Sequence, residues 1–135
     1  VQHQLGCAII LIGHDMGLMA QFVDKVAVMY AGRLMELSTV REMFTDPRHP
    51  YAQALIRSLP SLENKGVFQG IPGLAPSLLR LPTGCAFNPR CPHAVEVCRS
   101  AVPAFAPVPP SGRRVACHLV ASADDADVAD AAPSM

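Results

Sequence analysis

Four of the five cysteines lie in one part of the chain, and they constrain its fold more than any other feature. They are Cys85, Cys91, Cys98 and Cys117, in the run GCAFNPRCPHAVEVCRS and the later segment RRVACHL. Four soft ligands set among Gly, Pro and Arg are typical of a tetrahedral metal site or an iron–sulfur site. Because the surrounding sequence has few large apolar residues, a bound metal would supply folding energy directly. The sequence therefore predicts a four-cysteine metal site.

The spacing C-x5-C-x6-C-x18-C is looser than the paired C-x2-C loops of a zinc knuckle, although zinc tolerates many spacings. Iron–sulfur, zinc, and disulfides or free thiols are all compatible with it. Five arginines and one glutamate lie between Arg80 and His118, and such a field favours an anionic thiolate-ligated group. His93 and His118 are interpreted as neighbours of the site rather than ligands. Cys7, in an apolar run, is interpreted as a small core residue.

Composition divides the chain of 135 residues into unlike parts, because all 13 prolines follow position 46. The formal net charge of the chain is zero only because its tail carries four acidic residues, and the rest of the chain is basic. No apolar run approaches the roughly 20 residues that cross a bilayer, and the start does not resemble a signal peptide. The pair Arg113 and Arg114 is too small a footprint for a nucleic-acid partner, so none is expected.

The apolar run CAIILI, residues 7–12, predicts a strand buried on both faces of a parallel sheet. His14 follows it, in a turn before a helix that Asp15 can cap. In open α/β sheets, ligands bind at this carboxyl edge of the strands. From the residues alone, His14 is either such a ligand-binding side chain or an ordinary surface or core histidine.

Later segments predict a strand at Val26–Tyr30, a hairpin turn at 31–33 and a second short strand. Thr39 and Glu42 have the spacing of a capping box, and a helix is expected to begin at Pro50. From Ser61 onward the prolines favour extended, irregular chain, and the tail after Val120 is expected to be disordered.

The stretch AIILIGHDMGLMAQFVDKVAVMYAGRLMELSTVREMFTDPRHPYAQALIRSLP resembles the carboxyl-terminal part of the nucleotide-binding subunit of an ABC transporter. It is similar to the oligopeptide/dipeptide importer branch in particular. The branch-specific parts are the HPY triplet at His49–Tyr51 and the GCAFNPRC…C…VAC pattern. The resemblance extends from about Gly6 to Leu119.

The resemblance implies an α/β fold, in which residues 1–46 form the distal part of a P-loop NTPase domain of the ABC type. Residues 47–120 would form a mostly irregular carboxyl-terminal extension ligated by its cysteines, and residues 121–135 a disordered acidic tail. His14 would be the switch histidine, a catalytic and cofactor-binding residue that contacts the γ-phosphate of ATP. Cys85, Cys91, Cys98 and Cys117 would bind a [4Fe–4S] cluster, with zinc as the alternative.

The sequence contains no G-x-x-x-x-G-K-[ST] phosphate loop, no LSGGQ-like signature and no strand ending in Asp-Glu. These 135 residues alone are therefore expected not to hydrolyse ATP, and a start at Val1 is interpreted as the interior of a longer subunit. The resemblance implies that the full-length subunit binds ATP and Mg²⁺ and pairs with a second nucleotide-binding subunit.

The same resemblance implies that it drives peptide uptake through transmembrane permease subunits at the cytoplasmic face of the cell membrane. A separate binding protein would deliver the substrate. Two alternatives remain: a small zinc- or iron–sulfur-binding interaction module without an ATPase role, and a secreted domain held by disulfides.

Overall fold

The computed structural model describes residues 6–59 and 70–120. The tail after Val120, which is expected to be disordered, lies outside these residues. In chain order the elements are α1 (Met16–Met19), β1 (Lys25–Tyr30), β2 (Arg33–Thr39), α2 (Val40–Thr45), α3 (Pro50–Ser58), a 3-10 turn (Asn88–Arg90), α4 (Glu96–Ser100), β3 (Ala106–Val108) and β4 (Arg113–Val115). The mixture of helices and sheet agrees with the expected α/β class.

Strands β1 and β2 form the predicted antiparallel hairpin. Its two turn residues, Ala31 and Gly32, have φ values of 49° and 77°, and positive φ at both positions is the conformation of a tight type I′ turn. The register shifts between Val28 and Met29, so that Met35 has no direct partner on β1. This bulge lets two successive side chains of β2, Met35 and Glu36, both be buried.

The sheet has four strands in the order β1-β2-β4-β3, all paired antiparallel. Strand β4 pairs with β2 through Glu36 opposite Val115 and Leu37 opposite Arg114. The sequence did not predict β3 or β4, because three-residue strands rich in Pro and Arg carry no alternating pattern. The sheet thus combines strands from both sides of the expected division at residue 47.

Helices α2 and α3 begin where the sequence predicts. The Thr39 hydroxyl accepts from the Glu42 N–H while the Glu42 carboxylate accepts from the Thr39 N–H, which confirms the capping box. Helix α3 has Pro50 in its first turn and His49 as its N-cap. Ala52 of α3 packs with Met43 of α2 and Val28 of β1 in a small core.

A second core joins the sheet to the cysteine-containing region. The rings of Tyr30, Tyr51 and Phe87 lie with centroids 4.6–5.3 Å apart, in tilted or edge-to-face arrangements that favour aromatic pairing. Phe87 is 1% exposed, and it packs between Cys85 and the HPY triplet. This aromatic contact fixes the cysteine region against α3 and β1.

The strand expected at residues 7–12 was predicted wrongly. These residues form no strand, the side chains of Ile10 and Ile12 are 89% and 91% exposed, and Cys7 is exposed rather than a core residue. A doubly buried strand needs strands at both edges and helices on both faces. Within the described residues every strand belongs to the antiparallel sheet, so this apolar run has no neighbour to pair with.

Asp15 caps α1 as expected, since its carboxylate accepts a hydrogen bond from the Leu18 N–H at 2.9 Å. The helix is short, however, and ends at Met19. Met16 packs on the core formed by Val28, Met43 and Ala52. In the part of the chain that the structure describes, no helix has the length and apolarity needed to span a membrane.

Candidate metal centre

The four predicted cysteines come together around one narrow cavity. Cys85 and Cys91 flank the 3-10 turn, Cys98 lies in α4, and Cys117 follows β4. The cavity volume is about 10 Å³, close to the space of one water molecule. Residues separated by up to 32 positions therefore line a common space.

Backbone contacts hold the first and third cysteines together. The Cys85 N–H donates to the Cys98 carbonyl at 2.8 Å, and the Thr83 hydroxyl donates to the Arg99 carbonyl at 2.8 Å. Gly84 has a φ of 74°, and a Cβ at this position would collide with the Cys98 carbonyl oxygen. Only glycine suits this close approach, because it tolerates positive φ and has no Cβ.

The 3-10 turn sets the position of Cys91 relative to Cys85. The Asn88 side-chain amide donates to the carbonyls of Thr83 and Cys85, both at 2.8 Å. The Asn88 N–H donates to the Cys85 carbonyl, and the Cys91 N–H donates to the Asn88 carbonyl at 3.3 Å. The segment CAFNPRC is thereby held as a compact loop with a cysteine at each end.

The thiols lie in an environment that opposes ionisation in the metal-free chain. Burial raises the pKa of Cys85, Cys91 and Cys117, and the neighbouring cysteines raise it further. Backbone N–H groups that donate toward sulfur lower these pKa values. The Phe87 N–H donates toward Cys85, and the His93 N–H donates toward Cys91. A metal ion would replace these protons and supply the positive charge that thiolates need.

The thiols face a common space without converging on a single point. Within residues 6–59 and 70–120, no three His, Cys, Asp or Glu side chains are placed closely enough to hold a metal ion as they stand. Mononuclear zinc needs sulfurs at about 2.3 Å from one centre, hence about 3.8 Å from each other. None of the five cysteines, all in the described part, forms a disulfide. Four thiols with backbone amides directed at sulfur are the donor set of a thiolate-ligated group, although their arrangement in the described residues is not that of a metal site.

His49, part of the HPY triplet, forms one wall of the cavity. Its side chain is 1% exposed, and its Nδ1 accepts from the Tyr51 N–H at 3.0 Å. Burial lowers the pKa of His49 to about 4, and a hydrogen bond from the ring to the Ala116 carbonyl opposes this shift. His49 is therefore a neutral imidazole whose Nδ1 accepts a hydrogen bond from the backbone.

Glu36 holds the segment that carries His49. Its fully buried carboxylate accepts from the Arg48 N–H at 2.9 Å and from the His49 N–H at 2.7 Å. Burial raises the pKa of Glu36, whereas these two N–H donors and the positive charge of Arg113 lower it. Arg113 in turn is 5% exposed and pairs with Asp46 at 3.4 Å.

Arg90 attaches the proline-rich segment to the same region. Its guanidinium donates to the carbonyls of Ile71 and Pro72, both at 2.8 Å, and to the Tyr30 hydroxyl at 3.2 Å. Residues 70–82 contain neither helix nor strand, as expected from the prolines. These three hydrogen bonds therefore fix an otherwise irregular segment next to Cys91.

Sequence reasoning missed the structural roles of Glu36, His49 and Arg90. A single acid inside an apolar strand is a signal for a buried carboxylate, and a residue before Pro50 is a natural N-cap position. For Arg90, local sequence offered no signal, because its partners lie 18, 19 and 60 residues away.

His14 lies in a bend directly before α1 and is exposed. It is not among the residues that line the cysteine cavity. Asp15 orders this bend from its other side by capping α1. The predicted nucleotide-contacting histidine therefore lies apart from the cavity that the predicted metal ligands line.

Comparison with known proteins shows which family the chain resembles. Residues 35–98 match the model of the carboxyl-terminal region of oligopeptide/dipeptide transporters, a range that includes the HPY triplet and three of the four cysteines. The chain is 48% identical over 120 residues to the oligopeptide transport ATP-binding protein OppD of Salmonella typhimurium, across 87% of its own length. It belongs to the oligopeptide/dipeptide ABC transporter ATP-binding family.

Two further members of the family show similar identity. The Escherichia coli OppD protein is 49% identical over 104 residues, covering 76% of this chain and 31% of that protein. The dipeptide transport ATP-binding protein DppD of Haemophilus influenzae is 43% identical over 112 residues, covering 82% of this chain and 33% of that protein. The Salmonella protein is covered over 35% of its length, so this chain spans about a third of each relative.

Proposed function

We propose that the chain is the carboxyl-terminal part of a subunit that couples ATP hydrolysis to the import of peptides. The 48% identity over 120 residues to an oligopeptide transport ATP-binding protein carries this proposal. The full-length subunit would bind ATP and Mg²⁺, pair with a second nucleotide-binding subunit and act on membrane permease subunits. It would work at the cytoplasmic face of the membrane, with peptide delivered by a separate binding protein.

His14 is proposed to contact the γ-phosphate. Its exposed ring precedes α1, and an imidazole N–H can donate to a phosphate oxygen as charge develops in the transition state. The contact between Asp15 and the Leu18 N–H orders the turn that bears the ring. The phosphate loop and the catalytic carboxylate would come from residues that this sequence does not contain.

A chimera tests this proposal: the matching third of the Escherichia coli OppD protein is replaced by this chain. The chimera should hydrolyse ATP and support oligopeptide uptake, and His14→Ala should lower its kcat by at least about tenfold with little change in ATP binding. Gln21→Ala, in the exposed turn after α1, is the control and should leave kcat unchanged. A folded chimera in which His14→Ala hydrolyses ATP at the parent rate would refute the role of His14.

For the cysteine cavity we propose a [4Fe–4S] cluster. Each thiolate of such a cluster binds a different iron, so the four sulfurs need not surround one point. The four cysteines that line the cavity support this proposal. The arginine-rich surroundings favour its negative charge. When bound, the cluster would supply iron–thiolate bonds that cross-link α4, the 3-10 turn and the segment after β4. The backbone N–H groups beside Cys85 and Cys91 would stabilise thiolate charge.

Zinc is the alternative, and the cavity's small volume favours it. A space of about 10 Å³ admits a single ion with small movements of the side chains, whereas a four-iron cluster requires its walls to move apart. In either case the proposed role is structural, because the site would cross-link segments that lie far apart in the sequence.

Single Cys→Ser variants separate the four predicted ligands from the remaining cysteine. Metal content of the anaerobically purified chain should fall strongly in Cys85→Ser, Cys91→Ser, Cys98→Ser and Cys117→Ser. Cys7→Ser, which changes an exposed thiol outside the cavity, is the matched control and should keep full metal content. A loss of metal in Cys7→Ser equal to that in the others would contradict the assignment.

A further inference from the structure

The carbonyls at the end of α4 accept hydrogen bonds from two other cysteine-bearing segments. Helix α4 itself carries Cys98, and the last carbonyls of a helix have no partner within it. The Cys98 carbonyl accepts from the Cys85 N–H at 2.8 Å, and the Ala101 carbonyl accepts from the His118 ring at 2.9 Å. The end of α4 is therefore a common anchor for Cys85 and for the segment that begins with Cys117.

The contact between His118 and Ala101 has only one chemical sense. A carbonyl oxygen can only accept, so Nε2 of His118 carries the proton and donates the hydrogen bond. The His118 side chain is half-buried and lines the same cavity as the four cysteines, whereas His93 is exposed and does not line it. Because His118 and Ala101 lie 17 positions apart, this bond links two segments that are distant along the chain.

Cys117 lies between two anchored neighbours. The Ala116 N–H donates to the Met35 carbonyl of β2 at 2.9 Å, and the His118 ring donates to the end of α4. Burial raises the pKa of the Cys117 thiol, and the N–H groups of the two residues after His118 oppose this shift by donating toward the sulfur. These N–H groups belong to the helical turn that starts at His118. They place the sulfur relative to that turn, and the His118 ring places the turn relative to α4.

We propose that His118 is a positioning residue: its bond to the Ala101 carbonyl holds the Cys117 thiol in place relative to Cys98. The purpose of this restraint rests on the proposed thiolate site. Its physical content, that His118 restrains Cys117, applies to the metal-free chain as well. His118 would then contribute to the site through a cysteine and not as a ligand.

Two variants of His118 separate these two roles. With Nε2 protonated, Nδ1 keeps a lone pair, so direct binding of a metal is the competing role. The amide nitrogen of Gln reaches nearly the place of Nε2, so His118→Gln can still donate to the Ala101 carbonyl but offers no imidazole nitrogen. The side chain of Asn ends near the level of Nδ1, so His118→Asn loses the bond to Ala101. His93→Asn is the control, because His93 is exposed and does not line the cavity.

The experiment measures alkylation of each cysteine by iodoacetamide in the reduced, metal-free 135-residue chain, read out by peptide mass spectrometry. His118→Asn should accelerate alkylation of Cys117 about fivefold, the effect of losing one ordinary hydrogen bond. Cys85, whose own N–H holds it to α4, should react at the wild-type rate. In His118→Gln and in the control His93→Asn, Cys117 should react at close to the wild-type rate.

Three results would overturn the proposal. An unchanged rate at Cys117 in His118→Asn would show that the bond to Ala101 does not restrain the thiol. Equal acceleration of Cys85 and Cys117 in His118→Asn would show general loosening of the cavity. Equal acceleration of Cys117 in His118→Asn and His118→Gln would show that the ring itself matters and the hydrogen bond does not.

Cobalt(II) titration of the same proteins, followed by the absorption of the cobalt–thiolate bonds, tests the purpose of the restraint. His118→Asn should bind cobalt(II) about fivefold more weakly, and this loss should vanish in a Cys117→Ser background. His118→Gln should bind it like the wild type, and an equal loss in both variants would identify His118 as a ligand and overturn the proposal. A wild-type chain that binds no cobalt(II), yet shows the predicted alkylation pattern, would refute the metal site and leave the restraint standing.

Discussion

At the residue scale, the cavity depends on side chains and backbone positions that admit few substitutes. Gly84 is the clearest, because both its positive φ and its contact with the Cys98 carbonyl exclude a Cβ. His49 is the second, because it fills a buried position only as a neutral ring. Each leads to a test that does not depend on the metal.

Gly84→Ala should lower the free energy of unfolding by at least about 2 kcal/mol, since left-handed backbone and a steric clash both oppose alanine. Gly112→Ala is the matched control, because a Cβ there meets nothing within 4 Å. It should change stability by less than about 0.5 kcal/mol. Urea unfolding of the reduced, metal-free proteins measures both, and equal stabilities would contradict the described contact.

His49 also predicts a pH dependence. Its pKa is about 4 in the folded chain against 6.5 for an unperturbed histidine, so the stability it contributes is present above pH 6.5 and is lost as the pH falls toward 4. The loss should approach about 3 kcal/mol at most, from about 1.4 kcal/mol per pKa unit. His49→Gln cannot titrate there, so its stability should fall less across this range.

Glu36 contributes the opposite sign, since its raised pKa makes the folded chain more stable as the pH falls through that value. Because Glu36 is present in both proteins, it contributes in both and largely cancels in the difference between wild type and His49→Gln. Urea unfolding at pH 4.5 and 7 measures that difference. Parallel pH profiles for the two proteins would show that folding does not lower the pKa of His49.

At the element scale, predictions from sequence succeeded where neighbouring residues determine the structure. The hairpin turn at Ala31 and Gly32, the capping box of α2 and the start of α3 at Pro50 all depend on contacts within a few positions. The strand expected at residues 7–12 failed, because burial of a strand depends on partners elsewhere in the sheet.

For the cysteine site as well, the sequence predicted local features and missed those that depend on distant segments. Spacing and residue type were enough to group four thiols that the structure places around one cavity. The short strands β3 and β4 were missed, although β4 carries the chain to Cys117 and pairs with β2. The contacts of Arg90 likewise join distant segments that no local pattern connects.

Replacing Arg90 should release the irregular segment at residues 70–82. Arg90→Lys cannot reproduce the fork that contacts the carbonyls of Ile71 and Pro72, so trypsin should cleave after Arg80 about fivefold faster. Arg114→Lys, whose parent side chain contacts the Phe105 carbonyl instead, is the control. An unchanged rate of cleavage after Arg80 in Arg90→Lys would show that the hydrogen bonds of Arg90 do not restrain residues 70–82.

At the scale of the whole molecule, the chain carries two candidate sites: an exposed histidine before α1, and a cavity lined by four cysteines and the start of α3. The sheet continues from the hairpin into β4 and so links the hairpin to the segment carrying Cys117. Metal at the cavity would therefore stabilise the hairpin and the extension together rather than the extension alone.

This coupling predicts that metal raises the stability of the sheet. Amide hydrogen exchange of Glu36 and Val115, which pair across β2 and β4, should slow when metal is bound and speed up again after chelation. The exposed residues 9–12 lie outside the sheet and serve as the control. Protection confined to residues 85–98 would contradict a shared folding unit.

The most direct test of the four-thiol site is the iron, sulfide and zinc content of the 135-residue chain after anaerobic purification, measured beside Cys98→Ser. We expect close to four irons and four sulfides per wild-type chain and a strong loss of both in the variant. One zinc per chain without iron would support the four-thiol site but refute the iron–sulfur cluster. Neither metal in the wild-type chain, or full metal content in Cys98→Ser, would contradict the four-thiol site.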